Sequence, residues 1–355
     1  MLIFAEKYYN HLSFMFQFFR TSLLLILLAL NLNCLMGQVV NTVDSVVDDT
    51  TEVHEITLYA MPTMLPLDWN SPSSLYKSML QVYLKTFSMK DNYLLGHVAV
   101  RLTSPLLEKP LYTAQSSKKW QERIDLVLKQ RVGFGILGAP LEGRIEPAEE
   151  IQHKLSVYRE RNKLAFITLR INKIAMSRII RFYHEYQNKI SPEYSASDFY
   201  GGAFWPRYHN EGAGCSTFAF SMLDLGNLIP EEAQQWKIEV KIPMNIIGGE
   251  FNNGKKIKNR TIKRTTSWYE GEGVNNVDYA EYFVWDPAYI FEWVLQRHQN
   301  DDYTDYQRTF ENAVPGLYKD ARNVQINPGD PIFMQRPDKN LFIDHYYQKL
   351  NLQKK

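Results

Sequence analysis

Two cysteines in 355 residues decide how this chain has to hold itself together. The first, Cys34, lies in a segment that reads as a removable export signal, so the processed chain keeps a single thiol, Cys215. One thiol closes no internal disulfide, and the fold has to rest on an apolar core. Hydrophobic residues at 45% and aromatics at 14% are enough for one. The length suits one large domain or two modest ones. Cys215 is then either inert packing or chemistry.

Arg20 precedes an apolar run, Leu23 to Leu30, that ends at Asn31. The run is too short for an ordinary membrane-spanning helix. It fits the apolar stretch of a secretory signal over residues 1–37, with cleavage after Gly37 and Met15 as an alternative start. Lipid attachment at Cys34 is the competing outcome, although Asn33 is not the small residue such processing prefers. An exported protein with no stable transmembrane span is expected. Residues 38–54 are polar and acidic and read as a flexible mature N-terminus.

The net charge of +1 gives no electrostatic footprint for nucleic acid. The one basic run, Lys255 to Arg264, is interleaved with Asn and reads as an exposed loop. Strands are expected at 56–61, 93–102, 111–114, 132–137, 164–171 and 236–243. Helices are expected at 73–87, 120–130, 177–187 and from Cys215 to near Gly226. Short strands mixed with helices indicate an α+β domain over 55–230, with an aromatic-rich elaboration over 231–355 packed on it.

Glu211-Gly212-Ala213-Gly214 leads into Cys215, and Phe218, Met222 and Leu225 follow at helical spacing. This places the thiol at a helix start, where the helix dipole and free N–H groups favour a thiolate. Acyl chemistry at a thiol also needs a histidine. His11 falls in the leader and His54 in the flexible segment; His153, His184, His298 and His345 occupy ordinary polar positions, and His209 lies in a loop. His97 differs, because it sits on an apolar strand directly after Gly96. A histidine there is a core residue or, joined to Cys215, its partner.

Gly96-His97-Val98-Ala99-Val100 resembles the histidine strand of the NlpC-type papain-like hydrolases, and Gly214-Cys215-Ser216-Thr217-Phe218 resembles their nucleophile helix. Histidine precedes cysteine, as in the circularly permuted branch, which includes exported bacterial amidase-like proteins and the lecithin–retinol acyltransferase relatives. The resemblance covers residues 93–230. It implies a permuted papain-like domain with an antiparallel sheet and packed helices, and a Cys215–His97 pair acting on an amide or ester. It also implies a third polar residue that orients His97. Glu142, just after the Gly-spaced segment, is the first choice; Gln115, Thr113 and Glu146 are rivals, and Glu211 is a candidate for the pocket wall. A cell-wall peptide or lipid-like substrate fits the exported location.

No C-x-x-C, H-E-x-x-H or helically spaced histidine pair is present, and Gly133, Gly135 and Gly138 do not form a dinucleotide fingerprint, so no metal or cofactor is expected. The rival function is a non-catalytic envelope protein binding through the aromatics between Trp268 and Trp293. It requires an unreactive Cys215 that His97 does not meet.

Overall fold

The strand β1 (Glu55–Met61) is buried on both faces after its first residue, as a central strand of β-branched and aromatic residues must be. It pairs antiparallel with β2 (His97–Thr103) on one side and β6 (Ala165–Arg170) on the other. The computed structural model describes residues 52–87, 95–188, 194–299, 305–327, 329–338 and 340–353, and side chains up to residue 348. The expected signal segment, including Cys34, lies outside the described residues.

Beyond β2 the sheet continues to β3 (Leu111–Thr113). Beyond β6 it continues to β11 (Val314–Asp320) and β10 (Gln307–Glu311), in the order β10-β11-β6-β1-β2-β3. The expected antiparallel sheet is therefore mixed, because β11 runs parallel to β6 with Gly316 opposite Phe166. Two smaller antiparallel sheets accompany it. One is β4 (Gln115–Ser117), β5 (Leu141–Ile145) and β7 (Phe199–Tyr200); the other is β8 (Lys237–Pro243) with β9 (Tyr279–Trp285).

The period-two alternation of the strands sorts the core into two faces. Ile56, Leu58, Val98, Val100, Ile167 and Leu169 face one way, with the helices α4 (Lys173–Tyr186), α5 (Cys215–Leu225) and α7 (Pro287–Gln299) in the same cluster. Tyr59, Met61, Ala99 and Phe166 face the other way and cluster with Ile151 and Tyr158 of α3 (Ala148–Glu160). The side chain of Asn172 caps α4 by accepting from the Ala175 N–H at 2.9 Å. Every residue of α5 except Asp224 is buried, which marks it as an interior helix rather than an amphipathic one. The remaining α-helices are α1 (Pro72–Phe87), α2 (Trp120–Ile124), α6 (Asn259–Arg264) and α8 (Leu341–Gln353). None among the described residues is long and apolar enough to cross a membrane.

Several elements depart from expectation. Residues 132–137 form a 3-10 turn at Phe134–Leu137 rather than a strand, entered through Gly133 at φ 58°, which an extended residue cannot adopt. The expected helix at 120–130 narrows to α2 and continues as a π-helical turn over Asp125–Gln130. His54, placed by sequence in a flexible segment, is buried, with Nδ1 bonded to Ser104 Oγ at 2.8 Å. The basic run contains the short helix α6.

The stretch beyond residue 230 contributes to the main core. It supplies β10 and β11 to the central sheet, and Trp285 stacks on Phe220 of α5 with ring centroids 4.4 Å apart and planes 8° from parallel. All described residues fall in one compact unit, 41–355. Near the C-terminus, Arg336 reaches back to Glu211, with Nε–Oε1 at 2.6 Å and Nη2–Oε2 at 2.8 Å. The Glu211 side chain is fully buried and also accepts from the Trp205 N–H and the Tyr347 hydroxyl. Arg336→Met leaves that carboxylate without its cation, and a cost of about 3 kcal/mol in unfolding free energy is expected. Urea unfolding of the variant beside the parent measures it.

Candidate functional site

Gly214 N-caps α5, and its N–H donates to Thr217 Oγ1 at 2.8 Å, which fixes the start of the helix. Cys215 is the first helical residue and is 8% exposed. The N–H groups of Cys215 and Ser216 have no acceptor within the helix, so they remain available to an oxyanion. Gly212 is required here because a Cβ would collide with the Phe199 carbonyl. That close approach lets residues 211–213 run beside β7, with Ala213 N–H donating to Phe199 O at 3.2 Å.

His97 opens β2, where Met61 is its register partner. The structure brings it to Cys215, and the imidazole and thiol are hydrogen-bonded. Its Nε2 donates to Glu146 Oε2 at 3.2 Å, which leaves Nδ1 for the sulfur. The Val98 N–H also donates to the sulfur. It is free to do so because β3 registers with β2 only from Val100 onward.

Burial pulls the His97 pKa down, but the Glu146 charge and the hydrogen bonds to Cys215 and Glu146 outweigh it and raise it to about 9. Burial also pushes the Cys215 thiol up, and the hydrogen bond and charge of His97, with the Val98 N–H, bring it below its ordinary value. For Glu146, burial favours the neutral acid, yet His97 and Lys154 hold it well below the usual carboxylate range. All three shifts favour the same charge state: thiolate, imidazolium, carboxylate.

Glu146 occupies the position at the imidazole, and Glu142 does not. Glu142 lies on the outward face of β5 in an exposed ion pair with Lys119 at 2.7 Å. Strand alternation carries Glu142 and Arg144 outward; β5 then ends at Ile145, and the chain turns so that Glu146 is fully buried. Its N–H donates to Ala114 O at 2.9 Å, and its Oε1 accepts from Lys154 of α3. The other rivals are elsewhere. Gln115 Nε2 braces the Ser197 and Phe199 carbonyls at 2.8 and 3.1 Å, and buried Thr113 has no side-chain partner among the described residues. Glu211 holds Arg336 instead of lining the pocket.

Three site residues gave no sequence signal of their own. The Tyr200 hydroxyl is hydrogen-bonded to Cys215 and to Arg123 of α2, whose guanidinium lies 5.2 Å from the Tyr200 ring. Burial and the nearby sulfur push the Tyr200 phenol well above its usual range, so it remains a proton donor at neutral pH. Tyr282 of β9 stands behind it, its phenol likewise pushed up by burial and by Tyr200 and Cys215. Gly202 makes room for the Tyr282 hydroxyl, where a Cβ would overlap it. Among the described residues, no group of three or more His, Cys, Asp or Glu side chains could hold a metal ion.

The charge state predicts a particular pH profile. Cys215 alkylates with iodoacetamide well below pH 8, and His97→Ala, which leaves burial as the dominant influence, moves the rise above the ordinary thiol range. Glu146→Gln removes the charge that outweighs burial, so the His97 pKa falls and the thiolate fraction with it. Labelling at pH 6.5 is expected to slow by about tenfold for each unit of pKa lost. Labelling rates across pH for the three proteins check this.

No family model, curated protein or solved structure matches the chain.

Proposed function

We propose that the chain is a cysteine hydrolase or acyltransferase of the permuted NlpC-type papain-like kind, acting on an amide or ester. Its nucleophile is Cys215, its base His97 and its orienting carboxylate Glu146. The observation that carries this reading is the continuous hydrogen-bonded series from thiol to imidazole to buried carboxylate, set at the start of an interior helix. The compartment suggested by the leader makes a cell-wall peptide or a lipid-like ester the natural substrate.

The steps follow from these positions. The thiol proton rests on His97 Nδ1, and the sulfur attacks the carbonyl carbon to form the C–S bond as the carbonyl pair moves to oxygen. The oxyanion sits against the Cys215 N–H and the Tyr200 hydroxyl, both at the sulfur. Collapse restores the carbonyl and expels the amine or alcohol, which takes the proton from the imidazolium. Water or another acceptor gives its proton to His97 and attacks the thioester, and the sulfur leaves as thiolate. Glu146 touches no reacting atom; it holds the proton on Nε2 and supports the imidazolium.

Less supports the rival binding function. Tyr279, Tyr282, Trp285 and Trp293 are core residues, whereas Trp268 and Tyr269 are half-buried and Tyr289 is exposed; the pair it requires to be apart is hydrogen-bonded.

Acyl transfer from a nitrophenyl ester to the protein, followed by intact mass, tests the proposal. The parent should take one acyl group on Cys215 and turn it over. His97→Ala should acylate about a hundredfold to ten-thousandfold more slowly, and Tyr200→Phe about a hundredfold more slowly. Glu142→Gln should be unchanged. A Cys215→Ala protein that acylates equally well, or a parent that does not acylate at all, overturns the reading.

A further inference from the structure

The proposed chemistry leaves the basic run and its apolar neighbours without a role. On α1, Tyr76, Leu80, Tyr83 and Leu84 share one helical stripe. Leu80 and Leu84 are exposed, the latter by 63%. Tyr83 stacks on Trp120 of α2 with centroids 6.1 Å apart, and Tyr76 lies 5.8 Å from the Lys263 ammonium of α6. The stripe thus runs between α2 and the basic helix. From α2 the π-helical turn presents Val127 and Leu128, 47% and 66% exposed. These two line a cavity of about 280 Å³ together with Arg131, Ile257, Lys258 and Asn259. The Ile257 N–H donates to Arg131 O at 2.8 Å and ties the basic loop to the turn. Leu80, Leu84, Trp120, Val127 and Leu128 are therefore exposed on the elements that adjoin the basic segment, whereas exposed apolar side chains normally scatter singly.

The basic run itself carries charge of one sign. Lys255, Lys256, Lys258, Arg260, Lys263 and Arg264 occupy ten residues without one carboxylate, and all six are exposed. Acidic groups on the adjoining elements are occupied: Asp125 pairs with Lys129 at 2.8 Å, Glu122 accepts from the Glu142 N–H at 2.9 Å, and Glu250 pairs with His345 at 3.1 Å.

We infer that this face docks on an anionic lipid surface. A soluble polyanion satisfies the cations but leaves the leucines and Val127 in water. A second copy of the chain would set like charge against like. A bilayer of anionic headgroups satisfies both, burying shallow apolar side chains while its surface potential attracts the lysines and arginines. The face is also joined to the site, because α2 carries both the exposed Trp120 and the Arg123 that holds Tyr200. On the proposed function above, docking brings the helix that holds Tyr200 to a surface rich in acyl groups.

The test uses the full chain with Cys34→Ser and Cys215→Ala, so it is blind to whether the thiol is catalytic. An environment-sensitive fluorophore is attached at Leu128→Cys and, as a reference, at Ile174→Cys on α4. Phosphatidylglycerol vesicles should blue-shift the probe at 128 and not at 174, phosphatidylcholine vesicles should shift neither, and added salt should weaken the response. Combining Lys255→Glu, Lys256→Glu and Lys258→Glu should lower vesicle affinity by about a hundredfold. Leu84→Ser should weaken binding to vesicles without changing binding to heparin. A protein that sediments with vesicles while the probe at 128 stays unshifted binds through its leader, which overturns the proposal. Equal shifts at 128 and 174 overturn it too, as does an unaltered vesicle affinity in Leu84→Ser, which assigns the patch to a soluble polyanion.

Discussion

A carboxylate with no solvent exposure governs the geometry of this site. Glu146 survives ionised only because His97 and Lys154 meet its two oxygens, and each partner comes from a different layer: β2 in the sheet and α3 on its outer face. Uncompensated, a buried charge costs several kcal/mol. The three side chains thus enforce one another, and the position of α3 over the sheet becomes a condition for the protonation state of the imidazole. Lys154 also pairs with Glu150 at 3.0 Å, and Glu150 with Arg144 at 2.7 Å. The charge on Glu146 therefore extends into a network that reaches solvent, where its outer members are well hydrated.

The pairing of Cys215 with His97 was legible as a candidate because the signals of both residues are local. A lone cysteine behind small residues and ahead of a helical period, and a histidine after glycine on an apolar run, need only neighbours to be noticed. The third residue was legible only as one of several candidates, since its role depends on where β5 stops. Glu142 and Glu146 have the same chemistry and the same strand parity, and only the chain's departure from the strand after Ile145 buries one and exposes the other. Tyr200 is harder still. It belongs to a two-residue strand whose place beside Cys215 is fixed by Gly212 passing close under Phe199, a contact no periodicity records.

The sheet tells a similar story. β1, β2 and β6 announce themselves by composition, and their pairing is what their apolar faces require. β10 and β11 do not, since their burial is mixed and their partners lie far away in the chain. The aromatics after residue 230 suggested a binding surface, yet Trp285 and Trp293 fill the space between the interior helix and the strands behind it. Their size suits that task, because a helix buried on all sides needs large partners on every side.

The parallel pairing of β11 with β6 sets Gly316 against Phe166, and Arg336 closes on Glu211 four residues before Cys215. Both are late arrivals in synthesis. A chain emerging from N- to C-terminus has made Cys215, His97, Glu146 and Tyr200 long before the segment that braces their loop exists. Contacts this distant in sequence delay collapse to a single structure. Until the segment carrying Arg336 is made, Glu211 lacks the cation that braces the loop leading into Cys215.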